Sequence, residues 1–578
     1  MLKKLWPYTR GYRKWMAVGV AASAAEAVFE LLIPMVMADI VDVGIATGDA
    51  RFILLRGGLM VAMALISMAF GLGSALCSSK AGQGFGATLR GAEYDHIQNY
   101  AFSNIEKFST ASLVTRLTND VNAMQMTLMM GMRLMVRAPV MLVAALVLSV
   151  RISADLSRAF LVAIPLLAVL IGVLLAKVGP MFRRLQERTD AVNLVVQEDL
   201  SAIRVVKSFV REDHEQEKFE KRNDDLRRAS EKAFGAVVIN MPAMMLIVYG
   251  TIIALMWFGG QMVFAGTLEV GKLTSLFTYV TQILMSLMMV SMIMMMVSRS
   301  VACAQRICEV LDETPDIRDD HADPAATVAD GSVEFDHVQF KYKPDSPEWN
   351  LRDVTLHIPS GATVGILGAT GSAKTTLVSL IPRLYEATEG VVRVGGRPVG
   401  DYTTGHLRDA VSMVLQQNTL FSGTIRENLL WGKADATDEE LWAAARAACA
   451  DDFIEKMPDG LDTDLGQGGV NVSGGQKQRL CIARAILKRP KVLILDDSTS
   501  AVDTATDASI RRTMAGALQN TTKLIIAQRV SSIMGADLIV ILDDGAIVQQ
   551  GTHEELLKTS EIYRDIYTAQ QEGVSMDG

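Results

Sequence analysis

The sequence predicts a chain in two parts, an all-α transmembrane half with six spans followed by an α/β half. Three observations predict this. Half of the residues are hydrophobic, only 6% are aromatic and the mean hydropathy is positive, a balance that favours a membrane protein over a soluble one. Six long apolar segments fill roughly the first half, and short strand-like runs alternate with helical stretches from Val333 onward. At 578 residues the chain also exceeds one ordinary core, so at least two domains are expected.

The apolar segments lie at about 15–40, 54–78, 131–150, 156–178, 240–265 and 273–298. Each is near or above the ~20 residues that a helix needs to cross ~30 Å of hydrocarbon. The links between them are short at about 41–53, 151–155 and 266–272, and long and polar at about 79–130 and 179–239. The long links carry Lys107, Arg116, Arg183, Arg184, Arg204, Lys207 and Arg211. Positive-inside bias therefore puts them, and both termini, in the cytoplasm of a multi-pass cell-membrane protein. The stretch FRRLQERTDAVNLVVQEDLSAIRVVKSFVREDHEQEKFEKRNDDLRR has apolar positions at helical spacing and no Gly or Pro, so it reads as helix continuing out of the membrane.

Two features of the spans carry open alternatives. Methionines crowd MQMTLMMGMRLMVRAPVM and LMSLMMVSMIMMM. They are packing or lipid contacts, or a polarisable surface for varied apolar ligands, in which case Met288, Met292 and Met295 are the candidates. Glu26 and Glu30 stand one helical turn apart in the first span. They bind cationic substrates, or they pair with Arg133 or Arg137 or lie near an interface.

Several classes are disfavoured. The net charge of -8 argues against a nucleic-acid partner. Cys77, Cys303, Cys308, Cys449 and Cys481 have neither disulfide-framework nor zinc spacing and read as buried thiols. The basic, aromatic start MLKKLWPYTRGYRKW is not followed by a small-residue cleavage site, so a removable signal peptide is not expected.

The Asp-, Pro- and Ala-rich stretch PDIRDDHADPAATVADGS reads as a linker, giving a membrane domain at 1–310, a linker at 311–332 and an α/β domain at 333–578. In that domain GATGSAKTT follows the strand TVGIL and opens a helix. A glycine-rich turn there lets backbone N–H groups and a helix N-terminus wrap a phosphate chain. Gly368, Gly371, Ser372, Ala373 and Thr376 form the cradle, Lys374 reaches the terminal phosphates, and Thr375 holds Mg²⁺. The phosphate-loop pattern has Gly where this chain has Ala373. Far downstream, VLILD ends in Asp496, fitting the Mg²⁺ carboxylate beside such a loop.

Between these motifs lies NVSGGQKQRLCIARA, where Ser473, Gly474, Gly475 and Gln476 make a second anion-binding turn at a helix start. VSGGQ with the phosphate loop upstream and LILDD downstream resembles the signature of ATP-binding cassette (ABC) proteins. The resemblance covers essentially the whole chain. Six spans followed by one cassette is similar to an ABC exporter half-transporter, and FSNIEKFSTASLVTRLTNDV and LSAIRVVKSFVRE resemble its two coupling segments. It implies that Tyr342 stacks on adenine and that Gln416 senses the γ-phosphate and Mg²⁺. It further implies that TDLGQGG, with Gln467 where Glu is common, is a cross-linking loop, and that residues 500–503 communicate across a cassette dimer. Each ATP would lie between one subunit's phosphate loop and the other's signature.

In the family the general base is a Glu directly after the Mg²⁺ aspartate and the switch residue is a His; this chain has Asp497 and Gln528. Asp is one methylene shorter, and a misplacement of about 1 Å costs on the order of 10²-fold in rate. Gln donates a hydrogen bond but carries no imidazolium charge. Together the pair removes at most about 5 kcal/mol of transition-state stabilisation. With Ala373, these departures share the phosphate-loop side while Ser473 and Gly475 are kept, which resembles the degenerate-site subunit of heterodimeric exporters. The expectation is an ATP-driven, alternating-access exporter subunit with ATP and Mg²⁺, a second half-transporter as partner, and an amphipathic or hydrophobic small molecule, peptide or lipid as substrate. The alternatives are a non-transporting ATP-gated channel or regulatory protein, or a slow homodimeric exporter.

Overall fold

The protein is described by a computed structural model covering residues 2–497 and 504–576. It divides into two compact units: Met1–Gln98 with Thr110–Glu313, and Asn99–Ser109 with Thr314–Gly578.

The first unit is helical. Its main elements are α1 (Arg13–Asp39), α2 (Ala50–Gln98), α3 (Val121–Ile152), α4 (Phe160–Ser201), α5 (Glu212–Val238), α6 (Asn240–Phe264) and α7 (Val270–Asp312). The 49 residues of α2 make a rod of about 74 Å, more than twice the hydrocarbon thickness, so this helix runs on past its apolar segment into the polar link as far as Gln98. Among the described residues five helical stretches, containing α2, α3, α4, α6 and α7, are long and apolar enough to cross a membrane. The first expected span is α1, 27 residues long, and it is not one of these five; it carries Glu26 and Glu30 within it.

Apolar side chains of α1, α3 and α7 meet in one core that includes Ala27, Leu31, Ala145, Leu276, Val280 and Ile283. Tyr279 is fully buried there, and its hydroxyl donates to the Leu31 carbonyl at 2.9 Å, which satisfies the phenol. Asp42 accepts from the N–H groups of Gly271 and Lys272 at 2.5 and 3.1 Å, fastening the start of α7. Arg137 of α3 reaches both acids of α1, Glu26 at 2.6 Å and Glu30 at 2.5 Å, so of the two candidate arginines it is the partner. Met288 packs against the core and Met292 is exposed. All five cysteines are free, with Cys449 only half-buried.

Two short helices mark the expected coupling segments. Ile203–Ser208 joins α4 to α5, with Val205, Phe209 and Val210 exposed around it. Phe102–Phe108 belongs to the second unit, where the Tyr385 hydroxyl donates to Glu106 at 2.9 Å and the Ser103 hydroxyl to Asp316 at 2.6 Å.

The second unit holds two sheets. Strands β1 (Val333–Phe340), β2 (Leu351–Ile358), β4 (Glu389–Val394) and β5 (Arg397–Pro398) form an antiparallel sheet in the order β2-β1-β4-β5. The larger sheet has the order β10-β9-β3-β8-β7-β6, from β3 (Thr363–Leu367), β6 (Val411–Val414), β7 (Val492–Asp496), β8 (Thr522–Ile526), β9 (Leu538–Asp543) and β10 (Ala546–Gly551). Its first five strands from the β6 edge are parallel, and β7 and β8 are buried at every position, which is why they read as unbroken apolar runs. The carboxyl ends of β3 and β7 flank β8, so the loops leaving them share one crevice.

Candidate functional site

The loop after β3 turns tightly before α8 (Lys374–Ser379). A Cβ on Gly368 would lie 2.3 Å from the Leu542 carbonyl oxygen, so only glycine fits there. The Ser372 amide donates to the Ala369 carbonyl at 3.2 Å. Ala373 has φ +70, the left-handed conformation that glycine adopts freely and that costs an L-residue roughly 1–2 kcal/mol. Its methyl therefore sits on a backbone of glycine type.

The loop closes over its lysine. Lys374 Nζ donates to the carbonyls of Gly368 and Ala369 at 2.8 and 2.7 Å and to the Ser372 hydroxyl at 3.3 Å. Burial lowers the Lys374 pKa, against the pull of Asp496 and Asp497. The Thr375 hydroxyl donates to Asp496 Oδ2 at 2.8 Å across 121 positions of sequence. Burial pushes the Asp496 carboxyl up, and the Thr375 hydrogen bond opposes it. A hydroxyl and a carboxylate side by side, with Gln416 on the same cavity, form an oxygen donor set that suits Mg²⁺, which takes few protein ligands and completes its shell with phosphates and water.

The next residue, Asp497, lies beside Gln528, whose Nε2 donates to Asp497 Oδ2 at 2.8 Å. Burial raises the Asp497 pKa, opposed by this hydrogen bond and by Lys374 and Arg529. Its backbone is held by the Ile526 carbonyl, which accepts the Asp497 N–H at 3.1 Å, and by Gln478 Nε2, 3.4 Å from its carbonyl.

One cavity of about 810 Å³ is lined by Gly368, Gly371, Ala373, Lys374, Thr375, Thr376, Gln416, Asp496, Asp497 and Gln528. Ser372 is buried beneath its loop. Tyr342 borders the cavity by sharing a 2.9 Å hydrogen bond with Thr376, and its ring meets Phe340 and Tyr385 edge-on at 4.9 and 5.2 Å. The signature residues are not brought to this cavity. Ser473 caps α9 (Gly474–Leu487): its hydroxyl accepts from the Gln476 N–H at 3.3 Å and its own N–H donates to Gln476 Oε1 at 2.9 Å. Ser473 and Gly474 are exposed, while Gly475 and Gln476 are half-buried. Gln467 stands in the short turn Gln467–Gly469. Ser500 and Asp503, the expected communicating loop, lie outside the described residues.

Sequence reasoning missed Asn350, Asp543, Ile562 and Ile566, which also line the cavity. Ile562 and Ile566, four apart in the last helix, carried a helical signal; Asn350 carried none.

A membrane-type helical unit in one chain with a cassette whose phosphate loop, hydroxyl and strand-end acid face one cavity defines an ATP-powered membrane transporter. Residues 16–287 match the family description "ABC transporter transmembrane region" and residues 351–500 the description "ABC transporter". The chain is 37% identical over 572 residues to the uncharacterized ABC transporter ATP-binding protein YfiB of Bacillus subtilis (strain 168), covering 98% of each. It is 34% identical over 500 residues to the ATP-dependent lipid A-core flippase of Desulfotalea psychrophila, covering 86% of each. A solved bacterial Atm1-family ABC exporter with ATP bound superposes with a TM-score of 0.79 at 25% identity, covering 98% of each chain. The chain belongs to the ABC transporter family, as an exporter half-transporter that joins a transmembrane domain to an ATP-hydrolysing cassette.

Proposed function

We propose that this subunit works in an alternating-access exporter whose two ATP sites are unequal, and that its own phosphate-loop pocket grips ATP and hydrolyses it slowly. The observation that carries the reading is the 2.8 Å hydrogen bond from Gln528 to Asp497. The two residues at the general-base and switch positions are bonded to each other, one short of reach and one without charge. The groups that hold ATP are intact: Lys374 for the terminal phosphates, the loop amides, Tyr342 for adenine, and Thr375, Asp496 and Gln416 for Mg²⁺. When bound, Mg²⁺ neutralises phosphate charge. Around it Thr375 and Asp496 orient the nucleotide, and Lys374 leaves its loop carbonyls for phosphate oxygens.

Exposure of Ser473 and Gly474 at the start of a 14-residue helix supports a signature that completes a partner's site. The partner is a second half-transporter with its own glutamate and histidine, and both termini of this chain are cytoplasmic. The flippase relative and the apolar, methionine-bearing spans support an amphipathic cargo.

The test uses the full chain alone and with the product of a neighbouring half-transporter gene. Alone it binds ATP but shows almost no turnover. With the partner, turnover and ATP-dependent accumulation in inside-out vesicles appear, and Ser473→Ala removes both while leaving ATP bound to this chain. Brisk hydrolysis by the chain alone contradicts the unequal-site reading, and turnover without accumulation favours a channel or regulator.

A further inference from the structure

Glu93 takes no part in the nucleotide chemistry. On α2 it continues a seam spaced by four residues, Phe85, Leu89, Glu93, and all three are buried, Glu93 with 0% of its surface exposed. It therefore occupies a core position of the helix. It stands fifteen residues beyond the apolar run that ends near Ser78, about 22 Å further along the axis and outside the membrane-spanning stretch.

Among the described residues Glu93 is the only carboxyl with both oxygens buried and without a hydrogen-bond partner. Its surroundings explain this. Val121, Met124, Cys303, Ile307 and Cys308 form the adjoining apolar cluster. The charged neighbours are engaged elsewhere. Arg90 donates to the Leu117 carbonyl and Asn122 Oδ1, both at 3.1 Å. Arg116 donates to the Arg306 carbonyl at 2.6 Å and pairs with Glu309 at 2.9 Å. Asp120 is held by both arms of Arg306 at 2.6 Å. The remaining facing groups are Tyr8 from the segment Trp6–Tyr12, and Cys303 and Cys308 from α7. Burial raises the pKa of all three, so they stay neutral.

An ionised carboxylate with no protein donor is among the costliest things a fold can bury, and such a group takes up a proton instead. We propose that Glu93 is a proton-binding site: it holds a proton while α2 packs against Tyr8, the segment Arg116–Asp120 and α7, and releases it to water when that packing opens. The O–H bond breaks, the proton leaves to solvent, and the carboxylate stays on the chain, hydrated. Burial pushes the Glu93 carboxyl up to about 8; Asp120 adds to this, and Arg116 and Arg90 oppose it.

The sign follows from linkage. The packed form holds more protons than an open form with an ordinary carboxyl, so low pH favours packing. From the ordinary value of 4.5 up to about 8 the packed-to-open ratio falls about tenfold per pH unit, and it is level above. This inference does not depend on how the ATP sites divide their work.

Infrared spectroscopy of the full chain in lipid nanodiscs reads the proton directly through the carbonyl stretch of a protonated carboxyl. The expected result is a band present near pH 6 that is lost as pH rises through about 8 and is missing from Glu93→Gln at every pH. A parent spectrum without the band, or a band unchanged in Glu93→Gln, overturns the proposal. So does a Glu93 band that persists after ATP has driven the bundle open. If the Gln variant folds poorly, Glu93→Leu, which extends the apolar seam, gives the same comparison.

Discussion

Lengthening Asp497 by one methylene tests the reach argument at its weakest link. Its backbone is pinned on both sides, by the 3.1 Å bond to Ile526 and the 3.4 Å contact from Gln478, so the main chain has little freedom to bring the carboxylate forward. In Asp497→Glu the extra carbon adds roughly one C–C bond length of about 1.5 Å to the reach of the carboxylate. Recovering about 1 Å is worth on the order of 10²-fold in turnover, or about 2.7 kcal/mol of barrier. Adding Gln528→His supplies an imidazole opposite the phosphate and increases the gain, by less than a further 10²-fold because the two residues act as a unit.

The assay is phosphate release at saturating ATP by the purified full chain in lipid nanodiscs, with ATP affinity measured separately. A rise in turnover at unchanged affinity is expected. If Asp497→Glu binds ATP normally and stays within about twofold of the parent, reach is not what limits this pocket.

Three further outcomes follow. The Asp497 carboxyl lies above its usual range because it is buried, and only its ionised form accepts a proton. Residual turnover at this site should therefore fall as pH is lowered through that raised value, a profile that pH-dependent phosphate release records. Tyr342→Ala removes a stacking surface worth about 1–3 kcal/mol and should weaken ATP binding by roughly 10–10²-fold in a nucleotide titration. Tyr342→Phe loses only the 2.9 Å bond to Thr376 and should bind nearly normally. Arg137→Ala strands two carboxylates, and because Glu30 is 36% exposed the cost should be about 1–3 kcal/mol, below that of a fully buried pair. A lowered unfolding midpoint, largely restored by adding Glu26→Gln and Glu30→Gln, is the expected pattern.

The parts legible in the sequence were those written in one local period. VLILD read as a buried strand because all five residues of β7 are enclosed in a parallel sheet, and the polar links read as helix because their apolar positions keep the helical repeat. What failed to show was set by tertiary register. Arg133 and Arg137 lie one turn apart on α3, so spacing alone leaves both facing α1; the choice depends on which level of α3 lies between Glu26 and Glu30. Asn350 and Tyr385 joined the site's surroundings through loops whose sequence carries no motif. Ala373 showed as a departure from a pattern, but only its φ of +70 reveals that the methyl sits on backbone of glycine type.

The three departures act on separate physical quantities: backbone strain at Ala373, reach at Asp497 and charge at Gln528. None removes a group proposed to hold ATP: Lys374 is bonded to its loop and Thr375 to Asp496, all lining the one cavity. General decay of a pocket would strike the binding lysine as readily as the base, because both are needed for turnover. On the proposed reading, departures that spare the lysine and the Mg²⁺ ligands, with Asp497 and Gln528 joined by a 2.8 Å hydrogen bond, are what remains when grip is useful and speed is not. If the two sites are unequal as proposed, grip alone would stabilise a closed cassette pair by mass action for as long as ATP stays, so the slow pocket would set how long the closed state lasts and the other site when it ends.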